Sequence, residues 1–158
     1  MGAMKPLRRL LGLSLLLGLW MTAGVLPTLA AERTLEARLL WATDDEKSPD
    51  PSHKKVEDAL AQKLKNMPLK YKNYFEVTRK IFTINDANYV KVEVSKQCYI
   101  EVKDKGENRV TVKLYGEGKL TKRVDSALPK GETVAIAGDD KNGTAWLVVV
   151  CPVEGKPK

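Results

Sequence analysis

The chain is poor in the residues that most chemistry needs. Its 158 residues include one histidine, His53, and two cysteines, Cys98 and Cys151, with no CxxC pair. A nucleophilic triad needs a histidine placed between a nucleophile and an acid. Asp50 and Ser52 stand beside His53 in sequence, but adjacency along a chain does not give triad geometry. A zinc site built from one histidine and two core cysteines lacks ligands. Aromatics make up only 6% of the residues, with two phenylalanines. After the first thirty residues no apolar run approaches the roughly 20 residues that span a bilayer. There is no internal repeat, no low-complexity tract and no sign of a second domain. The reading therefore contains no catalytic set, no metal set and no cofactor.

What is present begins with a tripartite N-terminus. Lys5, Arg8 and Arg9 precede an apolar run from Leu10 to Met21. Pro27, Thr28 and Ala30 follow, with small residues at the spacing a signal peptidase requires. The pattern predicts a signal peptide over 1–30, cleavage after Ala30, and a periplasmic or extracellular destination. The membrane is met only through this segment during export. Of the formal charge of +7, the leader carries three cations and no acid, so residues 31–158 keep +4. That excess favours solubility and weak attraction to anionic surfaces, without marking a nucleic-acid binder.

An even cysteine count in an exported chain suggests a disulfide. Cys98 shares strand parity with Ile100 and Val102, and Cys151 with Leu147 and Val149. Both thiols are expected to face the core. A bridge closing a loop of about 53 residues would stabilise by roughly 4 kcal/mol on the chain-entropy account. Two buried free thiols acting as small hydrophobes are the alternative.

Residues 31–158 read as one β-rich domain with a loop and helix at about 43–67. Leu35, Ala37, Leu39 and Trp41 alternate with Glu36 and Arg38, the pattern of a half-buried strand. A Pro- and acid-rich loop follows over 43–52. Its residues Asp44, Asp45, Glu46 and Asp50 lack the glycine and distal glutamate of a calcium loop. Asp50 and Pro51 then read as the cap and first turn of a helix. Val56, Ala59, Leu60, Leu64 and Met67 form its apolar stripe, and Met67-Pro68 ends it. From Tyr71 onward strands recur at a spacing of about ten residues, each bounded by a turn. In the first of them Phe75, Val77 and Ile81 share a parity. Asp139, Asp140 and Asn142 read as turn formers, and Asn142-Gly143 is a hairpin signal. The expected fold is all-β: an antiparallel immunoglobulin-like sandwich of about seven to eight strands, with one amphipathic helix after the first strand. A closed barrel is the second choice.

Two features bear on function. In the last strand Trp146, Val148 and Val150 oppose Leu147 and Val149, so both faces are apolar. A sandwich strand normally keeps one wet face, so either the helix or a partner protein must cover the second. Separately, Lys63, Lys65, Lys70, Lys72, Arg79 and Lys80 interleave with Tyr71, Tyr74 and Phe75. Such a stretch can hold an anionic polymer or a sugar chain, although strand parity turns several of these aromatics inward.

The stretch Leu39-Leu-Trp-Ala-Thr-Asp-Asp-Glu-Lys-Ser-Pro-Asp-Pro-Ser-His-Lys-Lys55, the segment Tyr71-Lys-Asn-Tyr-Phe-Glu-Val-Thr-Arg-Lys80 and the closing Ala145-Trp-Leu-Val-Val149 resemble a group of short exported bacterial β-sandwich proteins of unassigned function. The resemblance implies an envelope or extracellular setting. Gly131 to Gly138 with Trp146 to Pro152 looks locally like the closing hairpin of secretin pore subunits, whose long pore-forming remainder is absent. The expected function is a non-catalytic interaction or structural module of the cell envelope. Its partner would be another envelope protein. A binder of an anionic surface polymer through the 63–80 segment, and an unrecognised hydrolase, are the alternatives.

Overall fold

A computed structural model describes residues 31–138 and 144–153. The expected leader over 1–30, residues 139–143 with the expected turn formers Asp139, Asp140 and Asn142, and the last five residues lie outside the described residues. The chain runs β1 (Arg33–Thr43), β2 (Lys54–Lys55), α1 (Asp58–Lys65), β3 (Asn73–Ile84), β4 (Val90–Glu93), β5 (Cys98–Gly106), β6 (Arg109–Gly116), β7 (Lys119–Ala127), β8 (Val134–Ala137) and β9 (Thr144–Pro152). One sheet has the order β2-β3-β1-β9-β8 and the other β4-β5-β6-β7, with every described pairing antiparallel. The fold is an all-β sandwich, and the eight strands expected from alternation are all present. The ninth is the two-residue β2.

The layered architecture follows from the alternation. Leu35, Ala37 and Leu39 of β1, Val148 and Val150 of β9, and Ile136 of β8 face Ile100, Val102, Val110, Val112 and Leu114 of the second sheet. They form the inter-sheet core. The second sheet is a meander with two tight turns. Asn108 at φ 58° and Gly118 at φ 76° take the left-handed conformations that match a turn to the twist of its strands.

The second apolar face of β9 is covered from within. Leu147 and Val149, with Leu40, Ala42 and Tyr74, pack under Val56, Leu60 and Leu64. The helix is shorter than its stripe suggested. Asp50 and Pro51 do not start it. The Asp50 carboxylate instead accepts hydrogen bonds from the backbone N–H of Ser52 at 2.8 Å and its hydroxyl at 2.7 Å. Lys54 and Lys55 then pair with Glu76 and Phe75, and the Val56 N–H reaches the Tyr74 carbonyl. Val56 thus joins the outer core from extended chain, and the helix begins only after Glu57.

Two parity readings are corrected. The pairing of β1 with β3 slips at Leu39/Leu40, leaving Val77 without a register partner. Such a bulge reverses alternation along the strand. Phe82 therefore packs on the inter-sheet core, whereas Ile81, expected inside, is 58% exposed. The second correction concerns the disulfide: Cys98 and Cys151 are free. Cys98 packs on the inter-sheet core, but Leu147, Val149 and Cys151 lie on the opposite, helix-facing side of their sheet. Both cysteines share parity with apolar residues. Those residues belong to two different cores, so the β-sheet itself separates the thiols.

Candidate binding cleft at the mouth of the sandwich

The inter-sheet core does not close at one end. Leu39, Val77, Trp146 and Val148 from one sheet and Cys98 and Leu114 from the other line a cleft of about 440 Å³. That volume lies in the range of ligand-binding pockets, roughly 300–1,000 Å³. Its rim is polar and consists of hairpin tips: Ser95 and Gln97 between β4 and β5, Glu117 between β6 and β7, and Thr121 on β7. The tips are tied together. The Glu117 N–H donates to the Gln97 carbonyl at 2.8 Å, and the Val94 and Ser95 N–H groups both donate to the Cys98 carbonyl. Thr78 bridges the sheets by donating its hydroxyl to the Val94 carbonyl at 2.7 Å. Among the described residues Trp146 is the one large aromatic that lines the cleft, and it is 46% exposed. It stands edge-on to Trp41, with ring centroids 4.7 Å apart. The indole is therefore held in place while its outer part meets water. Burial pushes the Cys98 thiol above its ordinary pKa, so the thiol contributes to the lining as an apolar group.

The basic 63–80 segment does not form one surface. Lys63, on the exposed face of α1, donates to the Gly131 carbonyl at 2.7 Å. Lys65, Lys70 and Lys80 are exposed at separate places on the helix, the following loop and β3, and Lys72 sits just before β3. Tyr74 and Phe75 are buried. Arg79 is drawn into an ionic cluster with Glu36, Glu57 and Glu76.

That cluster was hidden in the sequence. Glu36 and Arg38, read there as a wet face, are only 7% exposed each. Arg38 donates through Nε to Glu36 at 2.7 Å and through Nη1 to Glu57 at 2.7 Å. Burial alone would lower the Arg38 pKa, but the hydrogen bonds to Glu57 and Glu36 outweigh it and the net shift is upward. The Arg38 hydrogen bond holds the Glu57 carboxyl below its ordinary range. The cluster borders a cavity of about 380 Å³ that Cys151 and Lys63 also line. The Cys151 thiol lies 3.4 Å from a Glu36 oxygen, and burial, reinforced by that carboxylate, pushes it up to about 12.

The His53 side chain is mostly buried in the acidic loop, where its Nδ1 lies 2.7 Å from the Ser48 hydroxyl and its Nε2 3.6 Å from Asp50. The same Asp50 and Ser48 side chains accept backbone N–H groups of the loop. The three side chains thereby fold the loop onto itself. Among the described residues no three His, Cys, Asp or Glu side chains gather as a metal-binding set.

A second feature missed in the sequence is the outer face of the four-stranded sheet. Tyr99 and Tyr115 stack at 4.6 Å, Lys91 lies 4.3 Å from the Tyr99 ring and Lys113 3.9 Å from that of Tyr89. Register alone could have found the Tyr pair, since residues 99 and 115 are direct cross-strand partners. Comparison of the chain with protein-family models, with curated proteins and with solved structures finds no match in any of the three.

Proposed function

We propose that the protein is an exported, non-catalytic binding module whose mouth cleft receives apolar side chains of a partner protein of the cell envelope. One observation carries this reading: an apolar cleft open to solvent, with a half-exposed tryptophan held at its entrance. Buried apolar area and an aromatic anchor are what concentrate binding energy in protein interfaces. Hairpin tips at the end of a sandwich are also the usual place for recognition, because a rigid scaffold positions them. The leader pattern supports export, and the apolar lining supports association that survives salt.

The test uses a photo-cross-linking amino acid at Gln97, on the rim, in cells that make the protein. A single envelope protein should be captured at low and at high salt, and the adduct should disappear in Trp146→Ala. Absence of an adduct, or an adduct indifferent to Trp146→Ala, would overturn the proposal.

A further inference from the structure

The cleft ends beside an open sheet edge. Strand β7 is the last strand of its sheet and pairs only with β6; of its nine residues, Thr121 is bulged out of register, so the regular edge runs from Lys122 to Ala127. Among the described residues no other strand pairs with its outer side. Lys119 to Arg123 are all exposed, and Leu120 is 54% exposed. The other terminal strands β4 and β8 have four residues each, and β2 has two. An unpaired edge offers a row of backbone donors and acceptors to any extended chain.

The charge on this edge selects among the chains that could add. Within the strand Lys119, Lys122 and Arg123 stand against a single acid, Asp125, which already accepts a hydrogen bond from Thr111 and pairs with Arg123 at 3.2 Å; the one other acid at this end is Glu117 in the preceding turn. A second copy would set like charges against each other, an arrangement that destabilises strand pairing. An acidic strand would meet the opposite sign. Position adds a second constraint. Thr121 lines the cleft, and Glu117 of the preceding turn forms its rim. A strand added along β7 from Lys122 to Ala127 therefore ends at the Thr121 bulge, which itself lines the cleft.

Resting on the binding reading above, we infer that the partner segment is an extended acidic peptide that adds as a fifth strand along β7 and places an apolar side chain in the cleft. Backbone pairing supplies its register, the lysines select its charge, and the cleft selects its apolar residue. This is the strand-addition mode of peptide recognition, with alternate side chains carrying the specificity.

The probe is a blocked nine-residue peptide alternating Glu and Val, compared with one alternating Lys and Val. Amide hydrogen exchange is followed residue by residue on the purified protein. The Glu peptide should slow exchange of amides within 122–127 about tenfold, and the Lys peptide should leave them unchanged. The Lys119→Glu, Lys122→Glu double variant should weaken the Glu peptide about tenfold, as expected for two exposed charge contacts of about 0.7 kcal/mol each. Protection at β4 or β8 instead, equal protection by both peptides, no protection, or self-association of the protein through β7 in sedimentation would each overturn the inference. The Gln97 cross-link scores the cleft separately. A cross-link without β7 protection removes the added strand and leaves the cleft reading standing. Protection without a cross-link removes the cleft reading, and with it the claim that the partner continues there.

Discussion

The two outer faces of the sandwich are built differently, although both belong to antiparallel sheets of similar size. On the five-stranded sheet Leu40, Ala42, Ala145, Leu147 and Val149 continue the apolar pattern on the outside, and α1 seals them with Leu60 and Leu64. On the four-stranded sheet the corresponding positions are Tyr99, Glu101, Lys113 and Tyr115, which meet water and one another. The difference is set strand by strand. β1 and β9 are apolar on both parities over part of their length, whereas β5 alternates from Cys98 to Lys103 and β6 along its length. The helix is the consequence of the first pattern, because an uncovered apolar face of that size would be an aggregation surface. The wet face needs no cover, since its charges pair locally: Lys91 with Glu93, Lys113 with Glu101, Arg123 with Asp125.

The sharpest way to break this contrast is at the helix. Leu64 is fully buried in the outer core. Leu64→Ala should lower stability by about 2–5 kcal/mol, the range for a large-to-small change in a packed core, measured by urea unfolding. A loss below about 1 kcal/mol would mean that the covered face is no more a core than the wet one. The next effect lies at the border of the covered face. Arg38→Ala leaves Glu36 buried with its main partner gone. The expected loss is about 2 kcal/mol, below the roughly 3–5 of an enclosed pair, because the Glu57 side chain is 52% exposed and water reaches the cluster.

The same cluster gives the covered face an acid-sensitive edge. Hydrogen bonding from Arg38 lowers the folded Glu57 pKa below its ordinary value of 4.5. A depressed carboxylate stabilises the fold above the unfolded pKa and loses that contribution as pH falls through the folded one. Glu57→Gln should therefore leave a shallower loss of stability below pH 4.5 than the parent chain shows, read from urea midpoints across that range. The effect is small, because solvent screens a half-exposed pair. An unchanged acid limb would place the sensitivity elsewhere.

Much of the contrast was legible in the sequence, and the rest was lost for physical reasons. Alternation located all eight longer strands, and the double-sided apolar pattern of β9 required a cover that α1 supplies. The bulge at Leu39/Leu40 was illegible, because a one-residue insertion leaves no signature in alternation beyond the shift itself. That shift moved Ile81 outside. Glu36 and Arg38 were read as a wet face because charge usually marks solvent. Here they are largely covered because Glu57, nineteen or more residues away in sequence from either, folds over them. The cleft was partly legible through Trp146. Its other walls, Leu39, Val77 and Leu114, read only as core, since a strand pattern says which face is inside but not where the inside stops.

On the wet face the expected effects are smaller. Lys91 sits over the Tyr99 ring and pairs with Glu93, both in solvent. Lys91→Ala should change stability by no more than about 0.5 kcal/mol. A larger loss would show that the Tyr99 and Tyr115 stack depends on the cation and that this face carries part of the fold.

The smallest expected effect is zero, and it tests the separation of the two apolar layers most directly. Cys98 belongs to the layer between the sheets and Cys151 to the layer under the helix. A bridge between them would require β9 or β5 to turn over, which would carry every other side chain of that strand to the wrong face. Two free thiols should therefore be counted after denaturation of protein purified without reductant, and dithiothreitol should leave the melting temperature where it is. If the layers were wrongly assigned and the bridge formed, reduction would remove roughly 4 kcal/mol. The melting temperature would then fall by on the order of 10 °C. That outcome would also place Leu147 and Val149 between the sheets rather than beneath α1, because in an alternating strand they share a face with Cys151.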